Sequence, residues 1–304
     1  MTKEVRLEGI LTALATPLTS DGEAVDEAAL ARLVSLQIEA GIGALVPCGS
    51  TGEFTALSHQ ERRRVTEVVV DAAAGVIPVV PSTGANTTRE TIELSQHAEA
   101  SGASAVMVVP PYYDSPGWAA LLQHYESVAR AIDIPIMVYN IPSATGLKLS
   151  ADQIGELAEI PGVDFLKDSS ADCVLLTELI QRFAGKIGIF NGWDTLTFAG
   201  LTAGAKASVW GAANFIPDLA VQLYEAAAQR QDLVEARQVW ARIWPVCNVL
   251  ENAPSYVQAV KAGCALRGIE VGPPRAPVQE ASPALKKLLA SALEAGGVTL
   301  PAAA

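Results

Sequence analysis

The sequence predicts an α/β fold, a (β/α)8 TIM barrel carrying a C-terminal helical appendage. Three observations predict it. Short apolar runs and helical segments alternate eight times over roughly the first 230 residues. The runs are rich in Val, Ile, Leu and Ala on both faces, as strands buried in a parallel sheet must be. The turn after the first run reads Ala15-Thr16-Pro17-Leu18. A doubly wound open sheet, the competing architecture, would place a glycine-rich phosphate turn there.

In chain order, the strand-like runs fall near 10–15, 43–47, 77–81, 104–109, 134–139, 163–166, 187–190 and 206–210. Helical segments lie between and after them, near 26–40, 58–74, 87–101, 117–131, 151–159, 172–183, 194–203 and 217–229. Asp26, Ser58, Ser150 and Asp194 each lead into a run of helix formers and are expected to cap those helices. Gly41, Gly75 and Gly102 stand where helices end and the next strand begins. From about residue 231 the strands stop. Two or three helices follow, near 234–250, 253–267 and 283–295, split by the breaker-rich Gly272-Pro273-Pro274-Arg275-Ala276-Pro277. The expected division is a barrel over 1–230 that carries the active site, and a helical region over 231–304 packed on the barrel or on a neighbour.

Bulk properties narrow the function classes. At 304 residues the length allows one large α/β barrel or two ordinary domains, and with half the residues hydrophobic and mean hydropathy +0.28 the chain can bury a sizeable core. A net charge of −12 argues against nucleic acid, which needs a basic surface, but leaves room for a small anionic substrate in a locally positive site. Cys48, Cys173, Cys247 and Cys264 show neither Cys-x-x-Cys pairing nor disulfide-framework spacing, which fits a reducing cytoplasm. Lys3 and Arg6 before an apolar run ending Ala13-Leu14-Ala15 have the outline of a secretory leader. Glu4 and Glu8 interrupt the basic region, and the apolar run is too short. No stretch approaches the length of a membrane span. The expectation is a soluble, untargeted, cytoplasmic protein.

Barrel active sites are built where the strands end. Those ends read Thr16-Pro17, Gly49-Ser50-Thr51-Gly52-Glu53, Ser82-Thr83-Gly84, Pro110-Pro111-Tyr112-Tyr113, Tyr139-Asn140-Ile141-Pro142, Lys167, Asn191-Gly192-Trp193-Asp194 and Trp210-Gly211. This is a hydroxyl-rich ring with one amine. An ammonium is costly to hold away from water, so a lysine ending a buried strand is either paired or sheds its proton. A neutral lysine attacks carbonyl carbon and forms a Schiff base; a structural ion pair is the alternative. Lys186 and Lys206 fall at strand beginnings, the stability end of a barrel. Lys148 lies in a loop, and Lys3, Lys261, Lys286 and Lys287 lie outside the repeats. The Gly49-Ser50-Thr51-Gly52 turn offers N–H groups and hydroxyls for a carboxylate. Tyr139 ends the strand next to that of Lys167, within reach of an imine for proton transfer. Tyr112 and Tyr113 suit an aromatic plug or an interface.

Other chemistries fit less well. His59, His97 and His124 fall inside helical segments, and no His/Asp/Glu spacing resembles a ligand set, so no metal is expected. A Ser-His-Asp hydrolase lacks both a placed histidine and a Gly-x-Ser-x-Gly elbow.

With Gly9-x-x-Thr12-Ala13-x-x-Thr16-Pro17, Gly49-Ser50-Thr51-Gly52-Glu53, Pro111-Tyr112-Tyr113, Tyr139-Asn140-x-Pro142 and Lys167 in order at the strand ends, the chain resembles the dihydrodipicolinate synthase / N-acetylneuraminate lyase family of Schiff-base lyases. The resemblance covers nearly the whole length. It implies a class I aldolase or dehydratase in which Lys167 forms the imine with pyruvate or another 2-oxo acid and Ser50 and Thr51 hold the carboxylate. Tyr139 would be the acid/base, relaying protons through Ser50 and through Tyr113 of a neighbouring subunit in a homotetramer, a dimer of dimers. No cofactor is implied. Gly49, Ser169, Gly192, Asp194 and Ser208 are the further substrate-binding positions; Gly192-x-Asp194 and Ser169 match hydroxyl-binding residues of the sugar-acid lyases, although Thr195 takes a place that is often acidic.

One departure bears on the second substrate, an aldehyde or sugar acid. Synthases condensing pyruvate with aspartate semialdehyde resemble one another in an arginine after Tyr-Asn-x-Pro, and here Ala144 stands there. An alanine cannot pair with a carboxylate. The leading expectation is therefore an aldolase or dehydratase on a 2-oxo acid such as a 2-keto-3-deoxy sugar acid. The alternatives are a dihydrodipicolinate synthase that grips its second carboxylate elsewhere, and a non-catalytic barrel that binds a 2-oxo acid.

Overall fold

The computed structural model describes residues 5–301; Lys3 and Glu4 of the leader comparison lie outside them. Among the described residues seven parallel strands form one sheet: β1 (Gly9–Ala13), β2 (Ala44–Val46), β3 (Val106–Val108), β4 (Ile136–Asn140), β5 (Val163–Asp168), β6 (Gly188–Asn191) and β7 (Ala207–Trp210). Their order is β2-β1-β7-β6-β5-β4-β3. The third expected strand is present only as isolated bridges, Val79 to Leu45 of β2 and Ser82 to Met107 of β3. Those bridges join the two ends of the sheet order and all but close the barrel. The reason is in the residues. Pro78 and Pro81 have no N–H to donate and serve the ladder only as acceptors, Pro78 from Leu45 and Pro81 from Met107.

The helices follow the expected rhythm: α1 (Glu27–Glu39), α2 (His59–Ala73), α3 (Thr88–Ala100), α4 (Trp118–Ala129), α5 (Pro142–Thr145), α6 (Ala151–Leu157), α7 (Cys173–Phe183), α8 (Thr197–Ala203) and α9 (Pro217–Tyr224). α5 is one turn set on Pro142 and was not expected. Asp26, Ser58 and Ser150 cap α1, α2 and α6, the latter two through reciprocal boxes with Glu61 and Gln153. Asp194 departs from expectation. It begins a 3₁₀ turn ahead of α8, makes no cap hydrogen bond, and turns its buried carboxyl elsewhere. Gly41, Gly75 and Gly102 all adopt positive φ just past helix ends.

Two buried clusters set the orientation of the strands. Met107, Met137, Tyr139, Phe165 and Phe190 belong to a cluster that includes the barrel interior. Val108, Val138, Leu166 and Ile189, one residue away on the same strands, join Leu121, Leu157 and Leu179 of the surrounding helices. The period of two thus makes β5 send Phe165 and Lys167 inward and Leu166 outward. His59, His97 and His124 lie in helices; His124 is buried, with Thr88 Oγ1 2.9 Å from its Nδ1, and burial pushes it down to about 4.

The C-terminal region forms α10 (Leu233–Glu251), α11 (Tyr256–Leu266) and α12 (Pro283–Ala295), with α10 against α9 and α12 against both α10 and α11. Among the described residues no helix is long and apolar enough to cross a membrane.

Candidate active site

Lys167 is only 5 % exposed and sits one residue before the end of β5, paired in register with Tyr139 of β4 and Phe190 of β6. Its Nζ lies 4.2 Å from the centre of the Tyr139 ring. The stacked rings of Phe165 and Phe190, with centroids 5.5 Å apart, include its own in-facing strand neighbour. No described residue forms an ion pair or hydrogen bond with Nζ. No ion pair therefore locks the amine, although Asp194 is near enough to feel its charge. The side chain opens instead on a cavity of about 280 Å³.

That cavity collects most of the expected residues. Ser50, Thr51, Tyr139, Ser169, Gly192 and Asp194 all line it with Lys167. Thr51 is buried and Ser50 exposed, on a turn closed by Glu53 N–H to Ser50 O at 3.1 Å and Phe54 N–H to Gly49 O at 3.3 Å. Gly192 admits the lysine: a Cβ there would stand 2.6 Å from Lys167 Cε and 2.3 Å from Ser169 Oγ, which already donates to Gly192 O at 2.6 Å. Any side chain at 192 would displace the amine.

Three expected residues lie elsewhere. Gly49 shapes the turn but is not part of the lining. Ser208 is fully buried between β6 and β7, hydrogen-bonded with Asn191 and 3.1 Å from Thr197 Oγ1, so it braces the strands beneath the site. Tyr113 is 90 % exposed on the outer surface. Ala144 is exposed on α5 and stands outside the lining.

The sequence reading missed the contribution of the C-terminal helices. Glu251 of α10, with Ser255, Tyr256 and Val257 at the start of α11, forms the wall opposite the barrel strands. Tyr256 Oη donates to Asp194 Oδ2 at 2.6 Å and accepts from Gly211 N at 3.0 Å. Glu251 accepts from Thr195 N at 3.0 Å and Thr195 Oγ1 at 2.6 Å, so a carboxylate reaches Thr195 from a distant helix. Burial, with the neighbouring Glu251 charge adding to it and the Tyr256 bond opposing, pushes Asp194 up to about 7. Burial also raises Glu251, against the bonds from Thr195. Lys167 is the sole basic side chain in the lining, which also holds two acidic ones. No motif marked Glu251 or Tyr256; only the fold brings them there. Among the described residues no group of three or more His, Cys, Asp or Glu is placed to hold a metal ion.

Comparison with known proteins places the chain in a family. The model of the dihydrodipicolinate synthetase family matches residues 6–296. The chain belongs to the dihydrodipicolinate synthetase family. It is 37% identical to a 4-hydroxy-tetrahydrodipicolinate synthase of Methanopyrus kandleri over 96% of this chain and 97% of that one. It is 38% identical to a synthase of the same name from Sorangium cellulosum, over 95% and 96%. Among solved structures, the chloride-inhibited dihydrodipicolinate synthase of Acinetobacter baumannii, complexed with pyruvate, superposes with a TM-score of 0.91 at 33% identity, covering 97% of this chain and all of that one. A family protein from an E. coli K12 prophage, also in complex with pyruvate, gives a TM-score of 0.92 at 28% identity and the same coverage. As a member of this family the chain is an enzyme, a lyase of the class I aldolase type.

Proposed function

We propose that this dihydrodipicolinate synthetase family member cleaves, or forms by the reverse reaction, a 2-keto-3-deoxy sugar acid through a Schiff base on Lys167. The observation that carries the reading is the amine itself: buried, without an ion-pair partner, and open to a cavity beside Tyr139. In the cleavage direction the Lys167 amine adds to the C2 carbonyl and water leaves, giving a protonated imine. The Ser50-Thr51 turn holds the C1 carboxylate with N–H groups and hydroxyls. Tyr139 takes the proton of the C4 hydroxyl as it passes its own on through Ser50 and a neighbour's Tyr113. The C3–C4 bond then breaks, its electron pair flows into the imine, and an aldehyde leaves. Protonation of the resulting enamine at C3 and hydrolysis release pyruvate and free the lysine.

The acidic wall supports the sugar-acid reading for the rest of the substrate. Once the turn has taken the first carboxylate, the remaining lining offers Asp194 and Glu251 and no arginine, histidine or second lysine among the described residues. Carboxyl groups accept hydrogen bonds from hydroxyls, whereas a second substrate carboxylate there would find no arginine, histidine or second lysine to pair with. A second reading, 4-hydroxy-tetrahydrodipicolinate synthesis, is favoured by the names of the relatives at 37% and 38% identity. It needs aspartate semialdehyde, whose carboxylate finds no cation in the lining. The two are separated by comparing pyruvate release from a panel of 2-keto-3-deoxy acids with condensation of pyruvate and aspartate semialdehyde. Release from a hydroxylated acid with at least tenfold higher kcat/KM supports the first reading, and the reverse order supports the second.

The exposed Tyr113 suits a homotetramer in which this phenol enters a neighbour's site, and the cysteines, all free, suit the cytoplasm. We take residues 1–230 as the barrel and 231–304 as a helical region that completes the same catalytic unit.

A further inference from the structure

The turn that carries Ser50 and Thr51 is held from outside the barrel. It ends at Glu53, whose φ of 59° is left-handed, a conformation a non-glycine residue keeps only when its surroundings impose it. Gly52 is equally confined. A Cβ there would stand 3.0 Å from both Cys48 N and Leu14 O, and Gly52 O accepts from Thr16 Oγ1 at 2.8 Å.

The Glu53 side chain points away from the cavity into the C-terminal region. Its Oε1 lies 2.6 Å from Lys261 Nζ of α11, with the two side chains only 4 % and 3 % exposed. Its Oε2 accepts from the backbone N–H of Arg275 at 2.7 Å. Lys261 donates in turn to Pro273 O at 2.8 Å. The Arg275 guanidinium ties Gly22 O, Glu23 O, Ala56 O and Glu61 together around the same turn. α11 therefore meets the site twice: at Tyr256, which donates to Asp194, and at Lys261, which forms an ion pair with the residue ending the turn.

We propose that Glu53 is a positioning residue: clamped by Lys261 and by the Arg275 N–H, it fixes the Ser50-Thr51 turn in the conformation that grips the 2-oxo acid carboxylate. Glu53 touches no substrate; it acts through the backbone two and three residues before it. The pair is buried, so salt screens the clamp much less than it would a surface pair. The proposal rests on the Schiff-base reading for its ligand, and its test separates the two.

The test measures borohydride trapping of pyruvate on the full-length enzyme, by intact mass, across pyruvate concentrations. The variants are Lys261→Met, Glu53→Gln and the double variant, with near-UV circular dichroism as the check on folding. In the folded variants the pyruvate concentration for half-maximal trapping rises at least tenfold. The steady-state KM rises by a similar factor while kcat falls less than threefold. Lys261→Met alone strands a buried carboxylate and can fail to fold; the double variant strands neither charge and carries the same expectation. A pair that serves stability alone would give the double variant wild-type half-saturation, and that result overturns the proposal. So does a fall in kcat with KM unmoved. Wild-type enzyme that traps no pyruvate overturns the Schiff-base reading and the positioning role with it; wild-type trapping with unchanged variants removes only the role of Glu53.

Discussion

Lys167 and Tyr139 are adjacent because β4 and β5 pair in register at those two residues, and period-two alternation turns both side chains inward. Replacing Lys167 with Ala removes the electron sink, and kcat/KM should fall by at least ~10³-fold, a loss of about 4 kcal/mol of transition-state stabilisation. Tyr139→Phe should lower kcat by ~10²–10⁴-fold, the usual contribution of general acid–base transfer, while imine trapping persists. Asp194 gives a pH prediction of definite sign. Its ordinary value is 3.8 and burial holds it at about 7 in the fold, so between those limits the folded chain keeps a proton that the unfolded chain has released. Stability therefore falls as pH rises from about 4 to about 7 and is flat above that on this group's account. Asp194→Asn should flatten that part of the curve of melting temperature against pH, which thermal scans in steps across the window will read. A melting curve of unchanged slope would remove Asp194 as the cause.

At the scale of elements, the strand–helix rhythm was legible because buried parallel strands and amphipathic helices write different periods into the chain. The caps at Asp26, Ser58 and Ser150 were legible for the same local reason, since a cap needs only its own helix. Two elements were not. The Pro78–Pro81 segment looks like a strand by composition, yet proline withholds the N–H groups that regular pairing needs. Asp194 looks like a cap, and tertiary structure takes its carboxyl for Tyr256 and Ala212 N. The reciprocal box at Ser58 also supports the turn of Ser50, because Glu61 accepts from both Ser58 and Arg275. Ser58→Ala should cost about 1 kcal/mol of stability by chemical denaturation, the ordinary worth of a lost cap.

For the whole molecule, the proposed division near 231 separates two architectures that line one cavity. In the proposed reading barrel residues supply the amine, the phenol and the carboxylate turn, while α10 and α11 place Glu251 and Tyr256 on the same cavity and Lys261 beside Glu53 of the turn. These contributions were illegible in sequence because each joins residues that are far apart in the chain, such as Glu53 and Lys261, without a local pattern. Tyr113, an interface candidate by sequence, is the most exposed aromatic side chain among the described residues, at 90 %. Tyr113→Ala should lower activity without moving the melting temperature of the isolated subunit by more than a degree or so, as exposed substitutions usually act. Sedimentation of the wild-type chain should give a tetramer.

The most direct measurement is peptide mass mapping after incubation with pyruvate and borohydride. The reduced pyruvyl adduct should fall on the peptide containing Lys167 and on no other lysine peptide, and Lys167→Ala should remove it. An adduct spread over surface lysines such as Lys148 and Lys206, or no adduct on a folded enzyme, would contradict the assignment.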